Sequence, residues 1–493
     1  MPAAKRWSRP VAGASFVHRR RPVDPLPQVR YPAAFTARVL TSIPKRAAVR
    51  TRSSRIAVSR SIRRPALLAA VLAAAAHAPL AAQLSPQEQR IAAYVDAHSA
   101  EAVGFLERIV NVNSGTLNPE GVRQVGMMFQ APLDSLGFDA RWISLPDSMR
   151  RAGHLFAYRR GTGGRRVLLI GHLDTVFERD DPFQRFVRNG RFASGPGVND
   201  MKGGDVVILY ALKALHAAGA LEGTTITVAL TGDEESPGRP LEIARRDLIE
   251  AGRSSDVALE FETGARDTLA EYATVARRSS SGWTLTVRGR TAHSSGVFSE
   301  GTGSGAIFEA SRILNDFHEE LRGEPYLTFN PGVMVGGTDV RYEAGASRGT
   351  AFGKTNVVAQ SAIVTGDIRT LTDEQLQRTR QRMREIVARH LPRTEAEIAF
   401  TEGYPSMPPT PGNQALLDLL NGVNASLGAP RMEALDPGRR GAADVSFVAP
   451  YVDALAGLGA NGSGAHGPDE TIDLESFPLQ IKRAALLIYR LTR

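Results

Sequence analysis

The chain has 493 residues, 42% hydrophobic and 23% charged, with no cysteine and a formal net charge of +9. That length exceeds one ordinary core and implies two domains; the lack of cysteine excludes disulfides, zinc–thiolate sites and thiol catalysis, so any metal must be held by histidine and carboxylate. The positive charge suggests nucleic acid only until it is partitioned: residues 1–82 hold 16 Lys+Arg against one acid, Asp24, leaving 44 basic and 50 acidic residues in 83–493, so no nucleic-acid partner is expected.

Residues 1–59 are rich in Arg, Pro, Ser and Ala without apolar periodicity and read as a disordered basic extension. Residues 60–82 read as a signal peptide. Arg60, Arg63 and Arg64 form a charged n-region, Ala66 to Ala76 an apolar h-region, and Leu80-Ala81-Ala82 a small-residue cleavage site before Gln83. The apolar run is too short for a stable membrane span, so an exported protein, periplasmic or secreted, is expected. Met1 is the only methionine before Met127. The signal is therefore expected to start at a non-Met codon such as that read as Val58, with 1–57 a gene-model artefact.

Ser85-Pro86-Gln87-Glu88 is a capping box with proline at the first helical position. It opens a helix with apolar positions Ile91, Tyr94, Val95, Leu106, Ile109 and Val110. A second helix carries Val122, Val125, Phe129, Leu133 and Leu136 and stops at Gly137. Strands and helices then alternate: a buried strand at 167–170, a helix at 206–215, a buried strand at 225–230, a helix over 241–251 and a strand at 257–261. This order predicts an α/β domain with a mixed, largely parallel sheet and flanking helices. Near residue 276 the pattern changes. Trp283 to Val287 alternates as a half-exposed strand; a helix at 306–321, strands near Met334 and at 362–368, and a helix around 374–390 follow. Residues 276–403 thus read as an inserted, smaller α+β domain, and 83–275 with 404–493 as the catalytic one, closed by helical patterns at 415–427 and 479–491. There is no internal repeat.

In open α/β sheets, functional groups gather at the carboxyl ends of the strands. His172 and Asp174 follow the strand at 167–170. Asp200 lies in the glycine-rich loop 194–204, Glu234 and Glu235 follow the strand at 225–230, and Glu262 ends the strand at 257–261. His466 sits in a distant glycine-rich loop. Each is unremarkable alone: single histidines, adjacent glutamates and glycine-rich turns are common on surfaces. Together they are the donors that suit zinc without thiolate. A pair of metals roughly 3.5–4 Å apart also needs a bridging carboxylate, terminal ligands and a base for the water, and this set supplies that number with little surplus.

The segments Gly171-His-Leu-Asp-Thr-Val-Phe177, Gly195-Pro-Gly-Val-Asn-Asp-Met-Lys-Gly-Gly204, Thr231-Gly-Asp-Glu-Glu-Ser236, Leu259-Glu-Phe-Glu262, Gly289-Arg-Thr-Ala-His293, Gly366-Asp-Ile-Arg369 and Gly464-Ala-His-Gly-Pro-Asp-Glu470 resemble, in order, those of the zinc-dependent carboxypeptidase and aminoacylase superfamily, nearest to glutamate carboxypeptidase. The resemblance spans nearly all of 84–493. It implies two Zn2+ per subunit, with Co2+ or Mn2+ as alternatives, bound by His172, Asp200 as the bridge, Glu235, Glu262 and His466. It implies Asp174 as the partner of His172, Glu234 as general base, and His293 as an oxyanion donor from the insert that can reach a partner subunit's site. Asn356 and Arg369 are implied as substrate-positioning residues. A homodimer through the insert and a small peptide or N-acyl amino acid substrate are expected with them.

Glu260 is the rival of Glu262, since both point to one face of the strand; the family ligand follows an apolar residue at the strand end, which favours Glu262. Two positions depart from the pattern. Ala359 stands where the family often has proline, and Tyr404 stands where some glutamate-specific members carry arginine, which weakens an assignment to glutamate or folate. Lys202, Gly441 and Asp444 match the family and read as structural. An N-acyl-amino-acid deacylase or dipeptidase remains an alternative on the same metals. A non-catalytic binding protein on this fold would be expected to have lost Glu234 or a ligand.

Overall fold

Ser85 starts the first helix: its Oγ accepts from the Glu88 N–H at 3.3 Å while the Glu88 carboxylate accepts from the Ser85 N–H at 2.8 Å. This capping box opens helix α1 (Pro86–Val110). The computed structural model describes residues 83–493; the basic extension at 1–59, the signal peptide at 60–82 and the start near Val58 lie outside the described residues. Helix α2 (Pro119–Ser135) ends as Gly137 turns to φ 81, a left-handed position that glycine adopts without a Cβ penalty.

Six strands form the larger sheet. β1 (Asp139–Ile143) and β2 (His154–Arg159) make an antiparallel edge, followed in chain order by β3 (Gly163–His172), helix α3 (Lys202–Ala217), β4 (Thr224–Thr231), helix α4 (Arg246–Arg253) and β5 (Val257–Glu260). The insert supplies β6 (Ser280–Gly289), α5 (Ala306–Leu321), β7 (Thr328–Gly337), β8 (Ser361–Arg369), α6 (Asp373–Val387) and β9 (Thr394–Tyr404). The chain then returns through α7 (Pro411–Leu427), β10 (Asp453–Leu455) and α8 (Phe477–Leu491). The spatial order of the larger sheet is β1-β2-β4-β3-β5-β10, and β4, β3, β5 and β10 run parallel. This is the mixed, largely parallel α/β architecture that the alternation predicts.

The apolar runs are continuous because both sheet faces are covered. Val167 and Leu169 pack into the cluster that includes Ile91, Phe129, Ile208 and Ile481, whereas Leu168 and Ile170 face Leu248, Val445 and Met407. The insert has its own core. Its antiparallel sheet, in the order β7-β8-β6-β9, packs Trp283, Leu285 and Val364 against Ile313 and Phe317 of α5 and Ile386 of α6. Among the described residues no helix is long and apolar enough to cross a membrane.

The helix expected over 241–251 is broken. Leu241–Ala244 is a single turn, Arg245 has φ −109, and α4 begins at Arg246. The reason is the Arg245 side chain, which turns into the protein to reach two buried aspartates.

Candidate metal centre

Parallel pairing places the ends of β3, β4 and β5 side by side, with His172 opposite Thr231 and Ile170 opposite Glu260. The residues just after those ends therefore converge. Donor atoms of His172, Asp200 and Glu262 lie within 4.8 Å of one another, as do those of Asp200, Glu235 and His466. Asp200 belongs to both sets. One of its oxygens is 3.4 Å from His172 Nε2 and the other 3.2 Å from His466 Nε2, and His466 Nε2 is 3.1 Å from Glu235.

Two observations indicate that this donor set fits metal. His172 Nε2 and Glu235 Oε1 are buried without a hydrogen-bond partner, a cost seldom left uncompensated. The donors are also imidazole and carboxylate, suited to zinc and similar divalent ions. Asp174 fixes the tautomer, since His172 Nδ1 lies 3.1 Å from its carbonyl oxygen and 3.4 Å from its carboxylate. The same carboxylate accepts the N–H groups of Glu234 (3.0 Å) and Glu235 (3.1 Å) and the Thr116 hydroxyl (2.6 Å). Asp174 thus aligns a histidine and the following pair of glutamates together.

The loop carrying Asp200 is held by Glu470, which is fully buried and accepts N–H groups from Gly197 (3.2 Å), Asn199 (2.8 Å) and Asp200 (3.0 Å). Burial pushes the Glu470 carboxyl up to about 7 against the pull of those N–H groups. Its signal in the sequence is its place four residues after His466, but nothing in spacing alone reveals which loop it grips. Lys202 is buried and donates to the carbonyls of Ile109 (3.2 Å) and Val112 (3.0 Å), tying the start of α3 to the end of α1. Gly204 lets α3 approach β5: a Cβ there would lie 1.8 Å from the Phe261 carbonyl oxygen. That close approach brings Asp200 beside Glu262.

Glu260 and Glu262 both reach Arg277. Glu260 is 2.7 Å from its Nη2 and also accepts the Val445 N–H at 2.9 Å, whereas Glu262 contacts the same Nη2 and faces His172 and Asp200. Only Glu262 of the two is in the donor set.

Beneath the glutamates lies a buried polar network. Arg245 donates to Asp233 (2.6 Å), Asp444 (2.8 Å) and the Tyr404 hydroxyl (2.8 Å), Thr231 donates to Asp444 at 2.5 Å, and the Tyr404 hydroxyl donates to the Glu234 carbonyl at 2.7 Å. Tyr404 is therefore a support for the Glu234 loop, and its phenol does not stand in for a substrate-binding arginine. Arg245→Met is expected to cost about 3–5 kcal/mol, because it strands two buried carboxylates; equilibrium denaturant unfolding measures it, and a loss below about 1 kcal/mol would show the network to be replaceable.

The insert residues are dispersed. Arg369, at the end of β8, donates to Asp367 at 2.9 Å, and its Nη1 would lie 3.5 Å from a Cβ at Gly441 in the catalytic part. His293 and Asn356 are neighbours on an exposed rim, where the Ser294 N–H donates to the Asn356 carbonyl at 2.9 Å and His293 Nδ1 lies 2.8 Å from Ser295 Oγ. Among the described residues no hydrogen bond or ion pair joins His293 or Asn356 to the carboxylate cluster.

Electrostatics favour cation uptake with proton release. The Asp200 and Glu235 carboxylates lift His466 to about 11. Burial opposes a charge on His172, yet Asp174 and Asp200 hold its pKa well above the usual imidazole value. The His466 imidazole therefore carries a proton at pH 8 that a metal must displace. Loading the stripped protein at that pH is expected to release at least about one proton, with affinity rising as pH rises. Calorimetry in buffers of different ionisation heat measures the release, and a value near zero would contradict this pairing.

Comparison with known proteins follows the same lines. The model of peptidase family M20/M25/M40 matches residues 168–490. Carboxypeptidase G2 of Pseudomonas sp. (strain RS-16) is 28% identical over 446 residues, covering 87% of this chain and 98% of its own. A succinyl-diaminopimelate desuccinylase of Gluconacetobacter diazotrophicus is 26% identical over 368 residues, covering 73% and 90%. Among solved structures, aminopeptidase PepT of Bacillus cereus ATCC 10987 superposes with a TM-score of 0.64 at 16% identity over 80% of this chain and 99% of that one, a likeness of fold.

Proposed function

The chain belongs to peptidase family M20/M25/M40, and on that footing we propose that it is a di-zinc hydrolase cleaving a peptide or amide bond next to a carboxylate-bearing residue. The observation that carries this reading is the pair of donor sets sharing Asp200 with Glu234 beside them. His172, Asp200 and Glu262 would hold one ion, and Asp200, Glu235 and His466 the other. When bound, such a pair supplies Lewis acidity and lowers the pKa of a water to near neutrality.

The chain's own groups do the rest. Burial, and then nearby carboxylates against the pull of His172, hold the Glu234 carboxyl well above its usual range. It is thereby suited to take the proton of the attacking water and return it to the leaving nitrogen. Arg369 is suited to grip a free carboxylate through parallel N–H bonds, and its reach to Gly441 supports a grip at the edge of the catalytic part. Asn356 would help orient the substrate.

His293 would donate to the developing oxyanion of a second copy's site, which requires a homodimer through the insert. A groove of about 380 Å³ along Val297, Ile307, Phe308 and Val357, and the place of β7 at the edge of its sheet among the described residues, support that reading. Export, with a start near Val58, is part of the proposal and rests on the residue pattern at 60–82; fractionation tests export, protein confined to the cytoplasm contradicting it, and N-terminal sequencing tests the start, which a peptide from residues 1–57 would contradict.

The test of function is elemental analysis of the purified protein together with hydrolysis of N-acyl amino acids, dipeptides and acyl-glutamates. About two zinc ions per chain and turnover of a substrate with a free carboxylate are expected. A protein that binds no stoichiometric metal after zinc is supplied overturns the ligand set. The similarity to desuccinylases favours deacylation as the second reading, and the same panel separates it.

A further inference from the structure

We propose that Arg440 is a specificity-determining residue that receives a second carboxylate on the leaving residue of the substrate, beside the one received by Arg369. The inference rests on the proposed hydrolase reading and deepens it. Arg440 follows the short turn Pro437–Arg439, which the Asp436 side chain caps, and precedes Gly441. Its Nη2 donates to the carbonyl of Thr263, the residue after Glu262. The Thr263 hydroxyl in turn donates at 3.3 Å to the carbonyl of Asn199, the residue before Asp200. The guanidinium is thus anchored on the main chain between two carboxylates of the metal centre.

It forms no direct ion pair among the described residues. Three neighbouring arginines have carboxylate partners: Arg277 has Glu260 and Glu262, Arg369 has Asp367 at 2.9 Å, and Arg439 has Asp267 at 3.2 Å. Arg440 has no carboxylate partner among the described residues, and its Nε is buried without an acceptor. Burial, and next the like charge of Arg277, work against it and outweigh the longer-range pull of Glu262, Asp200 and Glu260. A partly buried cation without a direct partner gains from an arriving anion. Arg369 and Arg440 flank the same backbone, since Arg369 Nη1 would lie 3.5 Å from a Cβ at Gly441. A leaving residue with two carboxylates, of the glutamate or aspartate type, supplies one to each guanidinium.

The experiment compares kcat and KM of the metal-loaded full chain on an N-acyl-glutamate and the matching N-acyl-glutamine, for wild type, Arg440→Gln and Arg440→Lys, with bound metal measured in each. Arg440→Gln keeps a donor for the Thr263 carbonyl and loses the charge. Wild type is expected to prefer the glutamate substrate by about 10- to 100-fold. Arg440→Gln should raise KM for that substrate by a similar factor while moving the glutamine substrate by less than roughly threefold. Arg440→Lys should restore part of the preference. Equal losses on both substrates, or loss of metal in Arg440→Gln, would make the residue a structural tie and overturn the proposal. Hydrolysis by wild type without preference overturns this proposal alone; no hydrolysis of either substrate by metal-loaded wild type removes the hydrolase reading and this one with it.

Discussion

Glu234→Gln is expected to lower kcat by about three to four orders of magnitude while leaving KM and metal content close to those of the wild type. Glutamine preserves the volume and one acceptor of the side chain but cannot take a proton from water. The main chain that presents residue 234 does not depend on that side chain: its N–H is held by Asp174 at 3.0 Å and its carbonyl by Tyr404 at 2.7 Å. The neighbouring Glu235 is in the donor set and Glu234 is not, so Glu235→Gln is expected instead to lose metal first and activity as a consequence. Steady-state kinetics beside elemental analysis separates the two. If Glu234→Gln keeps kcat within about tenfold of wild type, the general base lies elsewhere. The raised Glu234 pKa also sets a sign: kcat/KM should rise with pH through a limb above the ordinary carboxylate range, and that limb should vanish in the variant.

Much of this centre is readable in the residues because the fold concentrates chemistry at strand ends. A continuous apolar run such as Val167–Ile170, followed at once by His172 and Asp174, marks both a doubly covered strand and its functional end. What remains hidden is whatever depends on long-range packing. β9 (Thr394–Tyr404) carries Glu395 and Glu397 on an exposed face, and β1 is only five residues long, so neither announces itself by hydrophobicity. Arg245 looks like an ordinary charge on a helix until Asp233 and Asp444, the latter 199 residues away, meet it in the interior. Glu470 likewise acts on a loop some 270 residues earlier. The geometry that separates Glu262 from Glu260 is the approach of His172 and Asp200, since the strand presents both glutamates to one side and both reach Arg277.

Asp200→Ala is expected to abolish binding of both metals, a larger effect than removal of any other single donor. Its two oxygens face different imidazoles, at 3.4 Å from His172 and 3.2 Å from His466. Alanine therefore leaves each set with two protein donors, below the three or four that hold zinc firmly, and it also removes a negative charge that faces both imidazoles. Glu262→Ala and Glu235→Ala each touch one set, so each is expected to retain about one ion per chain. The fold around residue 200 should survive, because Glu470 binds its N–H and those of Gly197 and Asn199, not its side chain. Circular dichroism should then match that of the stripped wild type, whereas added zinc should raise the melting temperature of wild type and not of Asp200→Ala, since only bound ligand stabilises the native state. Retention of about two ions per chain by Asp200→Ala would mean that the two donor sets do not share a bridge. With Asp200 as the common member, the two sites cannot be lost independently from that position, and activity must fall with both.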